Sequence, residues 1–340
     1  MNVSTSSSYV SAGEKALGLA LRNVLTALGS TFTVVGIAGN LLVIFIILRF
    51  PRMRTVCNVY LFSIALSDLN LVMVAPIIIQ FYRNGRWTFG PGSCEAESCI
   101  KFTSMFAGFF LVSAFNYQRY RAIANPIETR QRQSLKRAAL ICLSIFLLAL
   151  VANLPFCVTS HVVEEVVKNK TVAVCRYFWP DWSNIPEHSE RAHRLYLTCL
   201  GFLLPFCLNF TLYVLIIRKL HSQDAFRSAA VGKRVKDSTT VTKMAVMVTA
   251  SFVICVGPFH MYNFISAVSD IYIPEYVGRW TCVLTFGNSA LDPIIYALMG
   301  TNFRDCIKQL FCRRPLAGET QKQLNDSDIL HANLPLSELK

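Results

Sequence analysis

The chain has 340 residues, of which 53% are hydrophobic and only 16% charged, and its formal net charge is +13. Soluble domains carry about a quarter charged residues, and here the deficit gathers into long uncharged runs, which excludes an ordinary soluble fold. The basic excess does not point to nucleic acid, because the cations sit at the ends of apolar runs, on alternating sides.

The opening MNVSTSSSYV has no basic patch followed by a short apolar core, so no cleavable signal peptide is expected. A helix needs about 20 mostly apolar residues to cross a bilayer. Seven runs qualify in chain order: 24–48, 58–81, 99–117, 138–160, 195–217, 245–267 and 277–299. The first can serve as an uncleaved insertion signal. The third and seventh are the least apolar, because they carry Lys101, Arg279 and Asp292. An ion inside the bilayer needs an inward partner or water, unless it lies near a helix end and snorkels. Snorkelling is the preferred reading for Arg279.

Loop charges set the orientation. One flank collects Arg49, Arg52 and Arg54, then Arg121, Arg130, Arg132, Lys136 and Arg137. It continues with Arg218, Lys219, Lys233, Arg234, Lys236 and Lys243, then Arg304, Lys308, Arg313 and Arg314. The other flank mixes Lys168, Lys170, Arg176 and Arg191 with Glu164, Glu165, Asp181, Glu187 and Glu190. The basic flank is expected to be cytoplasmic, which puts the N-terminus outside the cell. Glycosylation sequons at Asn2 and Asn169 fall on the outer side, whereas Asn209 matches the pattern inside the fifth run and is read as chance. No internal repeat supports a transporter.

The fold class is therefore an all-α membrane protein, a seven-transmembrane helix bundle. Residues 1–23 are expected as an extracellular tail and 24–300 as the bundle. Beyond them, 301–314 read as a short amphipathic cytoplasmic eighth helix and 315–340 as a disordered tail.

Among the cysteines, Cys142, Cys157, Cys199, Cys207 and Cys255 lie in apolar runs and read as small fillers. Cys94 opens the third helix and Cys175 sits mid-loop on the oxidising face, so a bridge would pin that loop over the bundle mouth. Cys99 is a rival partner for Cys175. Cys306 and Cys312, just past the seventh run among basic residues, are candidates for palmitoylation or free thiols.

Each run also carries a motif. The first has Gly39-Asn40, the second LFSIALSD ending at Asp68, then Pro76. Trp87-Thr88-Phe89-Gly90 precedes Cys94, and the third run ends Gln118-Arg119-Tyr120. Pro155 marks the fourth, Pro205 and Tyr213 the fifth, and Phe252, Cys255 and Pro258 the sixth. The seventh reads Asn288-Ser289-Ala290-Leu291-Asp292-Pro293-Ile294-Ile295-Tyr296, followed by Asn302-Phe303-Arg304. Each alone is weak; together, in this order, they resemble a rhodopsin-like (class A) G-protein-coupled receptor from about Gly39 to Cys312. The tract 51–68 and the tail 302–312 are most similar to the somatostatin, opioid and galanin-like peptide-receptor branch.

The resemblance implies that Asn40, Asn288, Ser289 and Asp292 face Asp68, a pocket suited to an allosteric sodium ion; a protonated or water-bridged Asp68 is the alternative. Gly108 stands where the family usually has a hydroxyl. Arg119 lacks the acid that usually precedes it, since Gln118 is neutral, and Ser238 and Thr239 occupy the place of the second restraint. Raised basal signalling is therefore expected, unless another group such as Asp237 restrains Arg119. Tyr213 and Tyr296 resemble the pair that meets Arg119 on activation, with Tyr120 beside it. Pro205, Phe252 and Pro258, with Pro293 in the seventh run, resemble the packing switch, although Val256 replaces the usual tryptophan.

The implied ligand pocket comprises Gln80, Lys101, Phe102, Phe259, His260, Asn263, Arg279 and Cys282. Lys101 stands where amine receptors keep an aspartate, which disfavours a biogenic amine, and Phe286 stands near the retinal lysine of opsins. Pro76, Trp87 and a hairpin-like loop from His161 to Arg176 resemble peptide receptors. Two roles for Lys101 stand: binding a ligand carboxylate, or neutralising Glu97 one turn earlier. His260 reads as packing as readily as a contact.

The expected protein is a plasma-membrane receptor for an extracellular peptide that activates a heterotrimeric G protein, in contact with membrane lipid and not nucleic acid. Alternatives are a non-signalling decoy, or a receptor for a small carboxylate or lipid ligand. No catalytic constellation, metal-ligand spacing or phosphate-cradling glycine loop occurs, so neither an enzyme nor a cofactor other than the sodium ion is expected.

Overall fold

The computed structural model describes residues 12–167, 170–177, 186–224 and 232–312. In chain order these form α1 (Ala12–Arg49), a short turn at Pro51–Met53, α2 (Val56–Asn84), α3 (Pro91–Ala124) and α4 (Pro126–Gln131). Next come α5 (Leu135–Thr159), β1 (His161–Val167), β2 (Lys170–Arg176) and α6 (Pro186–Thr198), which runs through a π-helical turn at Cys199–Leu203 into α7 (Leu204–Asp224). The chain continues with α8 (Gly232–Val268), α9 (Glu275–Met299) and α10 (Thr301–Cys312).

Among the described residues, seven helical segments are long and apolar enough to cross a bilayer, the fifth being the α6–α7 segment. The third and seventh have the lowest mean hydropathy, 1.5 and 1.3, as their charges require. Several helices run past the apolar runs read from the sequence: α3 spans Pro91–Ala124 against 99–117, and α8 spans Gly232–Val268 against 245–267. The first helix begins at Ala12 rather than near Val24, because residues 12–23 are rich in Ala, Leu, Glu and Lys, which sustain a helix beyond the apolar run. The expected tail at 315–340 lies outside the described residues.

Local chemistry sets several helix ends. Thr55 accepts a hydrogen bond from Asn58 N (3.3 Å) at the start of α2. Gly85, at φ 68°, ends α2 in the left-handed conformation that glycine adopts without strain, its N–H donating to Phe81 O (2.8 Å). Gly39 lets α1 approach α9 closely, since a Cβ there would lie 2.8 Å from Pro293 Cβ.

Large apolar side chains on α5 and α7, such as Leu148, Val151 and Phe210, face outward, as lipid contact requires. The interior holds Phe102, Phe106, Phe115, Phe156, Phe286 and Tyr296 together with buried Asn40, Asp68, Asn116, Arg119, Asn209 and Asp292. One end of the bundle carries the antiparallel β1–β2 hairpin, paired from His161↔Arg176 to Val167↔Lys170; the other carries α4 and α10.

Candidate functional site

Two disulfides stiffen the hairpin end. Cys94–Cys175 ties the start of α3 to β2 (Cα–Cα 5.6 Å), and Cys99–Cys157 ties α3 to α5 (4.5 Å). Trp87 packs against the first bridge, its backbone N–H donating to Ala173 O (2.7 Å) and its Nε1–H to Gly90 O (2.9 Å). The hairpin is thereby held beside a cavity of ≈ 480 Å³ between α2, α3, α6, α8 and α9.

Every cation lining that cavity has a carboxylate. Lys101 Nζ donates to Glu97 Oε1 (2.6 Å) and Tyr177 Oη (2.7 Å), while the Tyr177 hydroxyl donates to Glu97 Oε2 (2.9 Å). Arg176 meets Glu165 with two nitrogens (2.5 and 2.8 Å), Arg279 meets Glu275 (2.9 Å), and Arg194 lies 3.7 Å from Glu190. The hydrogen bonds from Arg176 hold the Glu165 carboxyl below its usual range, and Glu165 in turn raises the Arg176 guanidinium. Burial, and then the neighbouring Glu97, push the Tyr177 phenol well up. Aromatic groups complete the wall: His193 stacks on Tyr177 and meets Phe156 edge-on at 4.4 Å.

Below the cavity lies an aromatic layer. Phe252 packs against Phe109 (4.2 Å) and Phe202 (5.5 Å), and His260 stacks on Phe202 (5.1 Å). Beneath it a space of ≈ 20 Å³, room for about one water, is lined by Asp68, Ser104, Gly108, Val256, Asn288 and Asp292 among others. Ser289 Oγ donates to Asp68 Oδ1 (2.8 Å), and Ser251 Oγ to Asn288 Oδ1 (3.0 Å) and Asp292 Oδ1 (3.2 Å). Asn40 Nδ2 donates to Ser289 O (2.9 Å). Asn40 Oδ1, Asp68 Oδ2 and Asp292 Oδ2 are buried without a hydrogen-bond partner among the described residues. Two carboxylates share this space with oxygen ligands, an arrangement that suits a proton or a hard cation. At Gly108 a Cβ would lie 3.2 Å from Ser67 Oγ, so a hydroxyl from that position would crowd α2.

Toward the α10 end, Arg119 is buried with its guanidinium carbon 5.5 Å from the Phe115 ring centre, and its Nε has no hydrogen-bond partner among the described residues. No carboxylate among the described residues lies within ion-pair distance of it. Gln118 and Tyr120 flank it, both half-buried. Nearby, amides and hydroxyls of α3, α7 and α8 interlock through Asn116, Asn209, Thr249 and Tyr213.

A family model described as "7 transmembrane receptor (rhodopsin family)" matches residues 39–296. The chain belongs to the rhodopsin family of seven-transmembrane receptors. Its similar relatives include somatostatin receptor type 2 of Mus musculus, 27% identical over 308 residues, 89% of this chain and 81% of that protein. Somatostatin receptor type 4 of Rattus norvegicus is 28% identical over 288 residues, 84% of this chain and 72% of that protein. This receptor is accordingly a multi-pass membrane protein of a receptor family rather than an enzyme family.

The structure brings together six of the eight residues expected in the receptor's ligand pocket: Lys101, Phe102, Phe259, Asn263, Arg279 and Cys282 line the large cavity. Gln80 does not, because it faces a separate groove between α1 and α2. His260 is 1% exposed and sits in the aromatic layer beneath the cavity, with both ring nitrogens unpartnered, so it packs rather than lines. Lys101 is buried and paired one turn away with Glu97, whereas Arg279, near the start of α9, is partly exposed and meets the exposed Glu275, as a snorkelling side chain does.

Asn40, Asp68, Asn288, Ser289 and Asp292 converge as the motifs implied. Pro258 and Pro293 lie inside α8 and α9, and Tyr296 is fully buried with its hydroxyl unpartnered. Tyr213 bonds to α8.

The cysteines need correction. Cys99 is no rival for Cys175, because it bridges Cys157, which is therefore not a filler. Cys306 is fully buried, its Sγ accepting hydrogen bonds from Arg52 Nη2 (3.1 Å) and Nε (3.3 Å), so its thiol points into the protein rather than to the surface where an acyl group would be attached. The Cys312 side chain, Asn2, Asn169, Asp237, Ser238 and Thr239 lie outside the residues whose side chains are described. The polar set at Asn116, Asn209 and Thr249 was missed. Its signal was present as two asparagines within apolar runs, which a bilayer does not tolerate without partners.

Proposed function

We propose that this receptor binds an extracellular peptide in the cavity at the hairpin end and activates a heterotrimeric G protein at the α10 end. On this reading the hairpin end lies outside the cell and the basic loops inside. The observation that carries it is the ≈ 480 Å³ cavity, roofed on one side by a disulfide-held hairpin and walled by aromatic and charge-paired side chains. A strand-like rim and mixed charges suit a peptide, which offers backbone hydrogen bonds and both signs of charge. The somatostatin receptor relatives support the peptide class.

A sodium ion would be held by Asp68, Asp292, Asn40, Asn288 and Ser289, of which Asp68 Oδ2, Asp292 Oδ2 and Asn40 Oδ1 are unpartnered among the described residues and fit a hard cation. Bound there it would supply charge neutralisation to the paired carboxylates. Agonist affinity should then depend on sodium in the wild type and lose that dependence in Asp68→Asn.

The test of coupling is ligand-free nucleotide exchange on a panel of Gα subunits with the full-length receptor in nanodiscs. Exchange above the receptor-free rate on at least one subunit is expected. A flat panel, with and without peptide ligands, would favour a decoy that binds without signalling.

A further inference from the structure

The interlocked side chains between α3, α7 and α8 form a directed chain. Asn209 Nδ2 donates to Ser113 Oγ (2.9 Å) and Pro205 O (2.8 Å), and Asn209 Oδ1 accepts from Asn116 Nδ2 (2.6 Å). Asn116 Nδ2 also donates to Thr249 Oγ1 (3.2 Å). The Thr249 hydroxyl lies 2.5 Å from Tyr213 Oη, and the Tyr213 hydroxyl donates to Ala245 O (2.7 Å). One consistent assignment satisfies all of them, with Thr249 donating to Tyr213. Asn116 and Asn209 are 0% and 2% exposed, so both side chains are shut off from bulk water.

The surrounding contacts cannot set the position of α8 in the same way. Met244, Ala245, Val248 and Phe252 are buried apolar neighbours on that helix, and apolar contact is non-directional. Hydrogen bonds in a dry interior are directional and costly to leave unmade. Moving this half of α8 away from α3 and α7 would break the Asn116–Thr249, Thr249–Tyr213 and Tyr213–Ala245 bonds together. Arg119, the nearby buried cation, has no carboxylate among the described residues with which to hold α8.

We infer that Asn116, Asn209 and Thr249 are positioning residues that hold α8 against α3 and α7 in the closed form of this receptor, where no described carboxylate pairs with Arg119. Thr249 is the link to α8. The inference deepens the receptor reading and rests on it for the consequence in signalling, but not for the mechanics.

The test separates the two. Bio-orthogonal spin labels at Arg130 and Lys243, both exposed at the α10 end, report the separation of α4 and α8 in the full-length protein without ligand. Thr249→Val keeps the shape and removes the hydroxyl; Thr249→Ser keeps the hydroxyl. Thr249→Val is expected to raise the ratio of long to short separations by about tenfold, about 1.4 kcal/mol, with Thr249→Ser close to wild type. An unchanged distance distribution in Thr249→Val, or an equal shift in Thr249→Ser, overturns the inference. Asn209→Leu tests the α7 side of the chain by the same distance, and a wild-type distribution there removes Asn209 from the role. If Thr249→Val lengthens the distance and also raises ligand-free exchange, both readings stand. A longer distance with no exchange on any Gα subunit supports the positioning role and defeats the G-protein reading alone.

Discussion

Lys101 and Arg119 are both cations on α3, both more than nine-tenths buried, and they are treated in opposite ways. Lys101 has a carboxylate at 2.6 Å, a phenol at 2.7 Å and two aromatic faces within 5 Å. Arg119 has a single phenylalanine ring, 5.5 Å from its guanidinium carbon, and an Nε unpartnered among the described residues. A buried ion with a complete set of partners fixes the geometry around it; one without them is held only by packing, and remains available to a partner that arrives later. The hairpin end is accordingly built to hold its shape, with two disulfides and paired charges, and on the proposed function the α10 end is the one that rearranges.

The strongest way to break that comparison is at Lys101. Lys101→Met strands Glu97, whose side chain is fully buried, and should destabilise the receptor by about 3–5 kcal/mol. Adding Glu97→Leu should restore most of it, read as thermal unfolding in detergent. A double variant no more stable than Lys101→Met would mean that the pair is not the unit that matters.

Next comes the second bridge. Cys99→Ser should cost about 2–4 kcal/mol, with Cys157→Ser equivalent and the double variant no worse than either, because all three remove one bond. Additive losses would show that the two sulfurs act separately.

The smallest effect sharpens the contrast between buried and exposed pairs. Glu165 and Arg176 are about a third exposed, so Glu165→Gln should cost at most about 1 kcal/mol. Because the folded-state pKa of Glu165 is lowered, its contribution is present above the ordinary glutamate value of about 4.3 and fades as pH falls through the lower folded value. The wild type and Glu165→Gln should therefore converge in stability on acidification below pH ~4. Convergence at alkaline pH instead would assign the pair the wrong sign.

What the sequence made legible is what local spacing encodes. Seven runs of membrane length, the one-turn spacing of Glu97 and Lys101, and the glycine at the end of α2 all follow from residues close in the chain. The convergence of Asp68, Ser289 and Asp292 was legible only through motif resemblance. The Cys99–Cys157 bridge and the Asn116–Asn209–Thr249 chain were not legible. Each depends on how neighbouring helices are rotated about their own axes, and apolar runs exposed to lipid on one side and protein on the other carry little periodicity to set that rotation. Cys306 fails for the same reason: its position past the seventh span is clear, but the direction of its thiol depends on the packing of α10 against Arg52.

Arg119 has no restraining acid among the described residues, and Gln118 is the place to supply one. Ligand-free nucleotide exchange should fall by about tenfold or more in Gln118→Asp, since a charge-assisted hydrogen bond contributes about 1.5–3 kcal/mol. Gln118→Asn should leave the rate near wild type. Exchange that is unchanged or faster in Gln118→Asp, at equal surface expression, would contradict the account.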